Sequence, residues 1–309
     1  MFENPKNFQP FTIDKEEDSK RIRPLTIEER EELGLEEKSK KKKESKETAS
    51  RVLRASWKNP ENQNKREVEI DIEEEIQLFE RVYDNLSVKI DKEEIRSIWK
   101  RNFESMKKEI ETYGYDTIII VPEDLPTGES VDREIIETMD EGAGKGKVAA
   151  TNYLVDKNSI TTPEKPKYRI ILTKGEQNIA ETSDPLLKAT LGKSMEYLTG
   201  LSKQEIEQRI QRGDELPIDF KVNTGGHETE IKADGMSLQE YMIFQRAYFE
   251  KNKKHLDENG WTWLPKSFSG SHVVDARWLP VVRRLDVFAL GASSRDVPLG
   301  LRLSRSFSN

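Results

Sequence analysis

The sequence predicts a mixed α+β protein, and three observations predict it. Two helical stripes of apolar residues stand between residues 68 and 114. Two short runs rich in branched aliphatics, at 117–121 and 168–172, have the length and composition of buried strands. From Gly260 to Asn309, finally, side chains alternate with the period of two that marks half-buried strands.

Residues 1–65 are polar and charge-dense around EEKSKKKKESKE and offer little apolar surface against the entropy of ordering, so they read as a disordered tail. The Lys run is interleaved with Glu, which favours a solvated linker over a nucleic-acid arm. A helical hairpin follows over 66–114. Ile72, Ile76, Phe79, Tyr83 and Leu86 keep helical spacing in its first helix. Asp91 with Glu94 forms a capping box for the second, whose stripe runs Ile95, Ile98, Trp99, Phe103, Met106 and Ile110 before Gly114 ends it. A packing layer is favoured over a partner-binding hairpin.

Beyond the strand at 117–121, stopped by Pro122, a polar stretch over 123–167 holds one short helix near 131–139. After the strand at 168–172, a helix is expected from Asp184 to Gly200 with Pro185 in its first turn, and another from Ser202, boxed with Glu205, to Gly213. Residues 218–222 suggest a short strand and 223–233 a loop. Ser237, boxed with Glu240, opens the most apolar helix, whose wide face implies burial on two sides.

The C-terminal texture differs from the rest. From Phe268 to Asn309 there is no Lys, Glu, Gln or Met, and the charges are six Arg and three Asp. Val274, Ala276 and Trp278 share one strand face, opposite Asp275, Arg277 and Leu279; Leu285, Val287 and Ala289 repeat this against Asp286, Phe288 and Leu290. The connection at 280–284, PVVRR, has poor turn chemistry of its own.

The framework SGSxVVxAxWxP…RLxVxAxxAS…LGLRxSRSF, with the lead-in EYMIFQRAYFEKNKKHLDENGWTWL, resembles the variable region of target proteins of diversity-generating retroelements. The resemblance covers residues 237–309. In that family a reverse transcriptase miscopies template adenines, turning Asn codons into NNY codons, which cannot encode Lys, Glu, Gln, Met or Trp. The outward residues Asp275, Arg277, Leu279, Asp286, Phe288, Leu290, Gly291, Ser294, Arg295, Asp296, Val297 and Pro298 all belong to the permitted set. The forbidden Trp278 lies on the framework face.

The resemblance implies a C-type lectin-like domain of the formylglycine-generating-enzyme subtype over 115–309, with the variable region at about 268–309. It implies a ligand-binding module, not an enzyme, whose diversified surface meets a macromolecule, expected to be a protein. Phe288, Leu290, Leu279 and Val297 would form an apolar centre, with Arg277, Arg295, Asp275, Asp286 and Asp296 as charged neighbours. The alternatives are a structural or assembly protein of a phage or envelope, and an enzyme of the same fold with an unrelated site.

Other chemistry is sparsely represented. There is no Cys, which excludes disulfides and thiolate chemistry. A net charge of −7 and a pI near 5.4 argue against a nucleic-acid binder. GAGKGK at 142–147 lacks the spacing and the Ser or Thr of a phosphate loop. His227, His255 and His272 have no partner at metal-ligand spacing, and the loop at 292–298 supplies only Asp296 toward calcium, so neither cofactor nor metal is expected. Ser271, His272 and Asp275 lie too close along one strand to converge as a triad. Trp261 and Trp263 face one way in an extended chain, as a sugar-stacking platform or, the favoured reading, as core or sheet edge. The start has no signal-peptide pattern and no apolar run reaches about 18 residues. The expectation is a cytoplasmic protein not inserted in a membrane.

Overall fold

The computed structural model describes residues 51–84, 86, 88–122, 152–153, 160–161, 168–224 and 226–309. The tail before residue 51, the helix expected near 131–139 and the loop at 142–147 lie outside them.

Strand β1 (Val52–Lys58) buries Leu53, Ala55 and Trp57 and exposes Arg54 and Lys58. Strand β2 (Lys65–Asp71) returns antiparallel with Val68 and Ile70 inward. Asn59 shapes the turn between them, its Oδ1 accepting from Glu61 N at 2.8 Å. This hairpin corrects the tail boundary of about 65: the alternation in LRASWK already marks a strand.

Helix α1 (Ile72–Asp84) and helix α2 (Lys92–Tyr113) form where the apolar stripes stand. Asp91 caps α2 by accepting from Glu93 N and Glu94 N. The expected box does not close as drawn, because Asp91 N donates to Tyr168 Oη at 2.6 Å. Gly114 ends α2 at φ 70°, and a Cβ there would lie 2.6 Å from the Trp57 ring. Tyr83 Oη donates to Ile120 O at 2.7 Å. The helical segment over 66–114 is thus built into the body of the chain, and the described residues all fall in one compact unit.

Strand β3 (Thr117–Val121), the short pieces β4 (Asn152–Tyr153) and β5 (Ile160–Thr161), and strand β6 (Arg169–Thr173) come next. The single helix expected over 184–200 is two, α3 (Pro185–Lys188) and α4 (Met195–Thr199). Gly192 breaks it at φ 64°, and the backbone of the break bonds to the C-terminal segment instead: Gly192 N donates to Leu299 O at 2.8 Å and Met195 N to Ala292 O at 2.9 Å. Helix α5 (Lys203–Arg212) carries the complete Ser202–Glu205 box. Strands β7 (Ile218–Thr224) and β8 (His227–Ala233) make a hairpin, so the expected loop at 223–233 is largely strand, with Ile231 and Ala233 buried. Helix α6 (Leu238–Asn252), boxed by Ser237 and Glu240, packs against α1 on one side and against strands on the other.

The remaining strands are β9 (Trp261–Ser269), β10 (His272–Leu279), β11 (Arg284–Leu290), β12 (Leu299–Leu301) and β13 (Ser304–Ser308). The largest sheet runs β12-β9-β10-β11-β4, with β5 also paired to β9. A second sheet runs β13-β6-β3, so the C-terminal segment feeds both. With two further hairpins, the fold is mixed α+β with several sheets.

One buried polar hub joins these parts. Asp257, fully buried, accepts from Arg302 Nη2 at 2.7 Å, Arg302 Nε at 2.9 Å, Tyr241 Oη at 2.9 Å, Thr262 Oγ1 at 2.7 Å and Ile179 N at 3.0 Å. Arg302 also donates from Nη1 to Lys174 O and from Nη2 to Gln177 O. Next to the hub, His255 is stacked between Phe249, at 4.9 Å, and Trp278, at 3.7 Å.

Candidate functional site

Antiparallel pairing places directly opposed side chains on the same face of a sheet. In the register of β9, β10 and β11, Asp275 stands between Trp263 and Phe288. One row along, Arg277 stands opposite Asp286, and its guanidinium lies 4.1 Å from the centroid of Trp261. Trp261 in turn meets Phe288 edge-on at 4.8 Å. Leu279 is opposite Arg284 and Leu290 opposite Val273. The other face of these strands carries Val274, Ala276, Trp278, Leu285 and Val287, each 0–1 % exposed.

The sequence-selected residues occupy three environments. Arg295, Asp296 and Val297 are exposed, Val297 at 84 %. Arg277, Leu279, Phe288, Leu290, Gly291, Ser294 and Pro298 are half-buried. Asp275 and Asp286 are each only 2 % exposed, which corrects their placement as open surface charges. Strand alternation tells which side a residue takes but not what lies over that side.

The two buried acids differ. Asp286 accepts from Arg284 Nε at 2.7 Å. Asp275 Oδ1 is buried with no donor, and Nε of Arg277 is likewise buried without an acceptor. Burial pushes the Asp275 carboxyl up to about 7; its own backbone amide pulls the other way, Asp296 adds to the rise and Arg277 opposes it.

The loop after β11 is held by backbone. Besides the two bonds from Gly192 and Met195, Ser294 N donates to Gly291 O at 3.0 Å, Leu299 N to Asp296 O at 2.9 Å and Trp261 N to Pro298 O at 2.8 Å. The turn at 280–283 places Arg283 at φ 53°, with Val281 93 % exposed at its tip.

Trp261 is the member that sequence reasoning missed. It lies on the outward face under Arg277 and Phe288 rather than in the core, whereas Trp263 is fully buried and donates from Nε1 to Lys193 O at 3.2 Å. The register of GWTWL against β10 is the signal that could have found it.

Nothing else on this face assembles a reaction centre among the described residues. His272 is exposed while Asp275 is buried, and no hydrogen bond joins them to Ser271. No group of three or more His, Cys, Asp or Glu among these residues converges as metal ligands. The cleft between α1, β3 and α6, about 290 Å³, is lined by Glu75, Asp116, Thr117, Tyr248 and Lys251, and Lys251 Nζ is already bonded to Glu75 at 2.9 Å. No helix among the described residues is long and apolar enough to cross a membrane. Comparison with known proteins found no matching family model, curated protein or solved structure.

Proposed function

We propose that this chain is a ligand-binding module whose C-terminal surface has been diversified by a retroelement, and that its ligand is a protein. One observation carries the reading. The outward positions of two neighbouring strands and the loop after them hold only residues that NNY codons encode, while Trp278, which they cannot encode, is 1 % exposed on the opposite face. The mixture on the outward side suits protein recognition, with half-buried Phe288, Leu279 and Leu290 beside Arg277, Arg295 and Asp296. Aromatic and Arg side chains are the usual energetic anchors of protein interfaces.

The C-type lectin-like subtype of the α+β fold and a non-enzymatic role belong to the same proposal and rest on the sequence resemblance; a cytoplasmic location belongs to it too, and rests on the sequence having neither a signal-peptide pattern nor a long apolar run. Sequencing the DNA flanking the gene tests it. A reverse-transcriptase gene and a near-identical repeat, differing at adenines in the codons for the outward positions, is the expected result. Flanking DNA with neither would remove the reading. A multimer that persists after removal of residues 268–309 would favour an assembly role instead.

A further inference from the structure

Among the outward residues, only Asp275 combines near-complete burial with a carboxylate oxygen that receives no donor. A buried polar atom left unpaired loses its bonds to water and gains none in exchange, so such an atom calls for an explanation. The neighbouring charges do not provide one. Arg284 is bonded to Asp286, and the Arg277 guanidinium rests on the face of Trp261 at 4.1 Å. The Arg277 side chain follows Asp275 on the same strand face, yet no ion pair within 4.0 Å joins the two among the described residues. Trp261, Trp263 and Phe288 surround this pair of rows.

Resting on the reading of this face as a binding surface, we propose that Asp275 is the anchor for a cationic side chain, lysine or arginine, presented by the protein ligand. Aromatic faces attract cations, and Trp261 already holds one, since it carries Arg277. A carboxylate with a free oxygen completes the pairing with a charge-assisted hydrogen bond. Asp296, exposed on the loop and close enough to act on Asp275, adds a second negative charge at the rim. Arg277 then acts as the occupant in the unliganded protein: an entering cation takes its place on Trp261.

The groups facing Asp275 also set the pH dependence. From its own strand Arg277 favours the charged carboxylate, from the loop Asp296 opposes it, and β9 and β11 contribute the uncharged Trp263 and Phe288, with the Arg284–Asp286 pair one row on. With burial holding the carboxyl near 7, the site gains its charge as pH rises through neutrality and loses it below.

The test titrates the full chain with agmatine, and with butyramide as an uncharged control, following the Trp261 indole N–H and the Asp275 carboxyl carbon by NMR. Agmatine should produce saturable shifts at both, at least tenfold tighter at pH 8 than at pH 5.5, lost in Asp275→Asn and strengthened in Arg277→Ala. Equal responses to agmatine and butyramide, or an unchanged response in folded Asp275→Asn, would overturn the inference. A random peptide library selected on the full chain separates it from the reading on which it rests. Binders rich in Lys or Arg that fail on Asp275→Asn support it. Binders that fail on Phe288→Ala and Leu290→Asp but show no basic preference keep the surface and overturn the cation anchor. A selection yielding no binder sensitive to this face overturns both.

Discussion

Asp257 and Asp275 are the same residue, buried to nearly the same degree, in two parts of the molecule that treat them oppositely. Around Asp257 an Arg, a Tyr, a Thr and a backbone amide all donate, so the charge is fully compensated. Around Asp275 one oxygen is left without a donor and the nearest Arg turns away to Trp261. The first arrangement holds α6, β9 and the residues after β12 in place. The second weakens the fold locally, and a protein keeps such a defect where something other than stability is gained.

The sharpest way to break this comparison is to strip the hub. Arg302→Ala leaves Asp257 charged and buried, and stability should fall by about 3–5 kcal/mol in chemical denaturation. A loss below about 1 kcal/mol would mean the hub is not what joins the sheets. The second effect belongs to His255 beside the hub. Burial lowers its pKa to about 4 from an ordinary 6.5, so the folded state binds fewer protons than the unfolded one between those values. Stability should therefore be complete above pH 6.5 and decline as pH falls toward 4, by no more than about 3 kcal/mol. Denaturation midpoints of His255→Phe, compared with the parent across that window, should lack this part of the decline.

Asp275 titrates with the opposite sign. Its carboxyl is raised to about 7 from 3.8, so the unfolded chain releases its proton first and stability falls as pH rises through that window. Asp275→Asn should leave stability at pH 4 nearly unchanged and raise it by roughly 1–3 kcal/mol at pH 8. A loss at pH 8 would show that the carboxylate is supported by the fold after all. The smallest effect is expected at the rim, where Arg295→Ala and Asp296→Ala should each stay within about 0.5 kcal/mol. Larger losses there would erase the distinction between the buried acids and the exposed rim.

Much of this contrast was legible in the residues, and the rest was hidden for definite reasons. The boxes at Ser202 and Ser237 and the apolar stripes of α1 and α2 are local signals, and local signals decide helices. The split between Val274, Ala276, Trp278 and the opposite row follows from period two alone. Strand β1 escaped because its charged flank continues the composition of the tail, although Leu53, Ala55 and Trp57 alternate. The helix at 184–200 broke because its backbone finds partners more than ninety residues downstream, at Ala292 and Leu299, which no window along the chain contains. The burial of Asp275 and Asp286, and the place of Trp261 beneath Arg277, depend likewise on register between strands. Alternation carries no such information.

The loop from Gly291 to Leu299 is moored by amides and carbonyls: Ala292 and Leu299 to the break between α3 and α4, Pro298 to Trp261, and Gly291 and Asp296 to residues of the loop itself. None of these moorings uses a side chain. The five consecutive positions from Ser294 to Pro298, half-buried or exposed, therefore lie on a path set by the main chain, whereas Ala292 before them is held in the core. The route of this loop is thus written in its amides and carbonyls, and its exposed side chains at 295–297 carry none of these bonds.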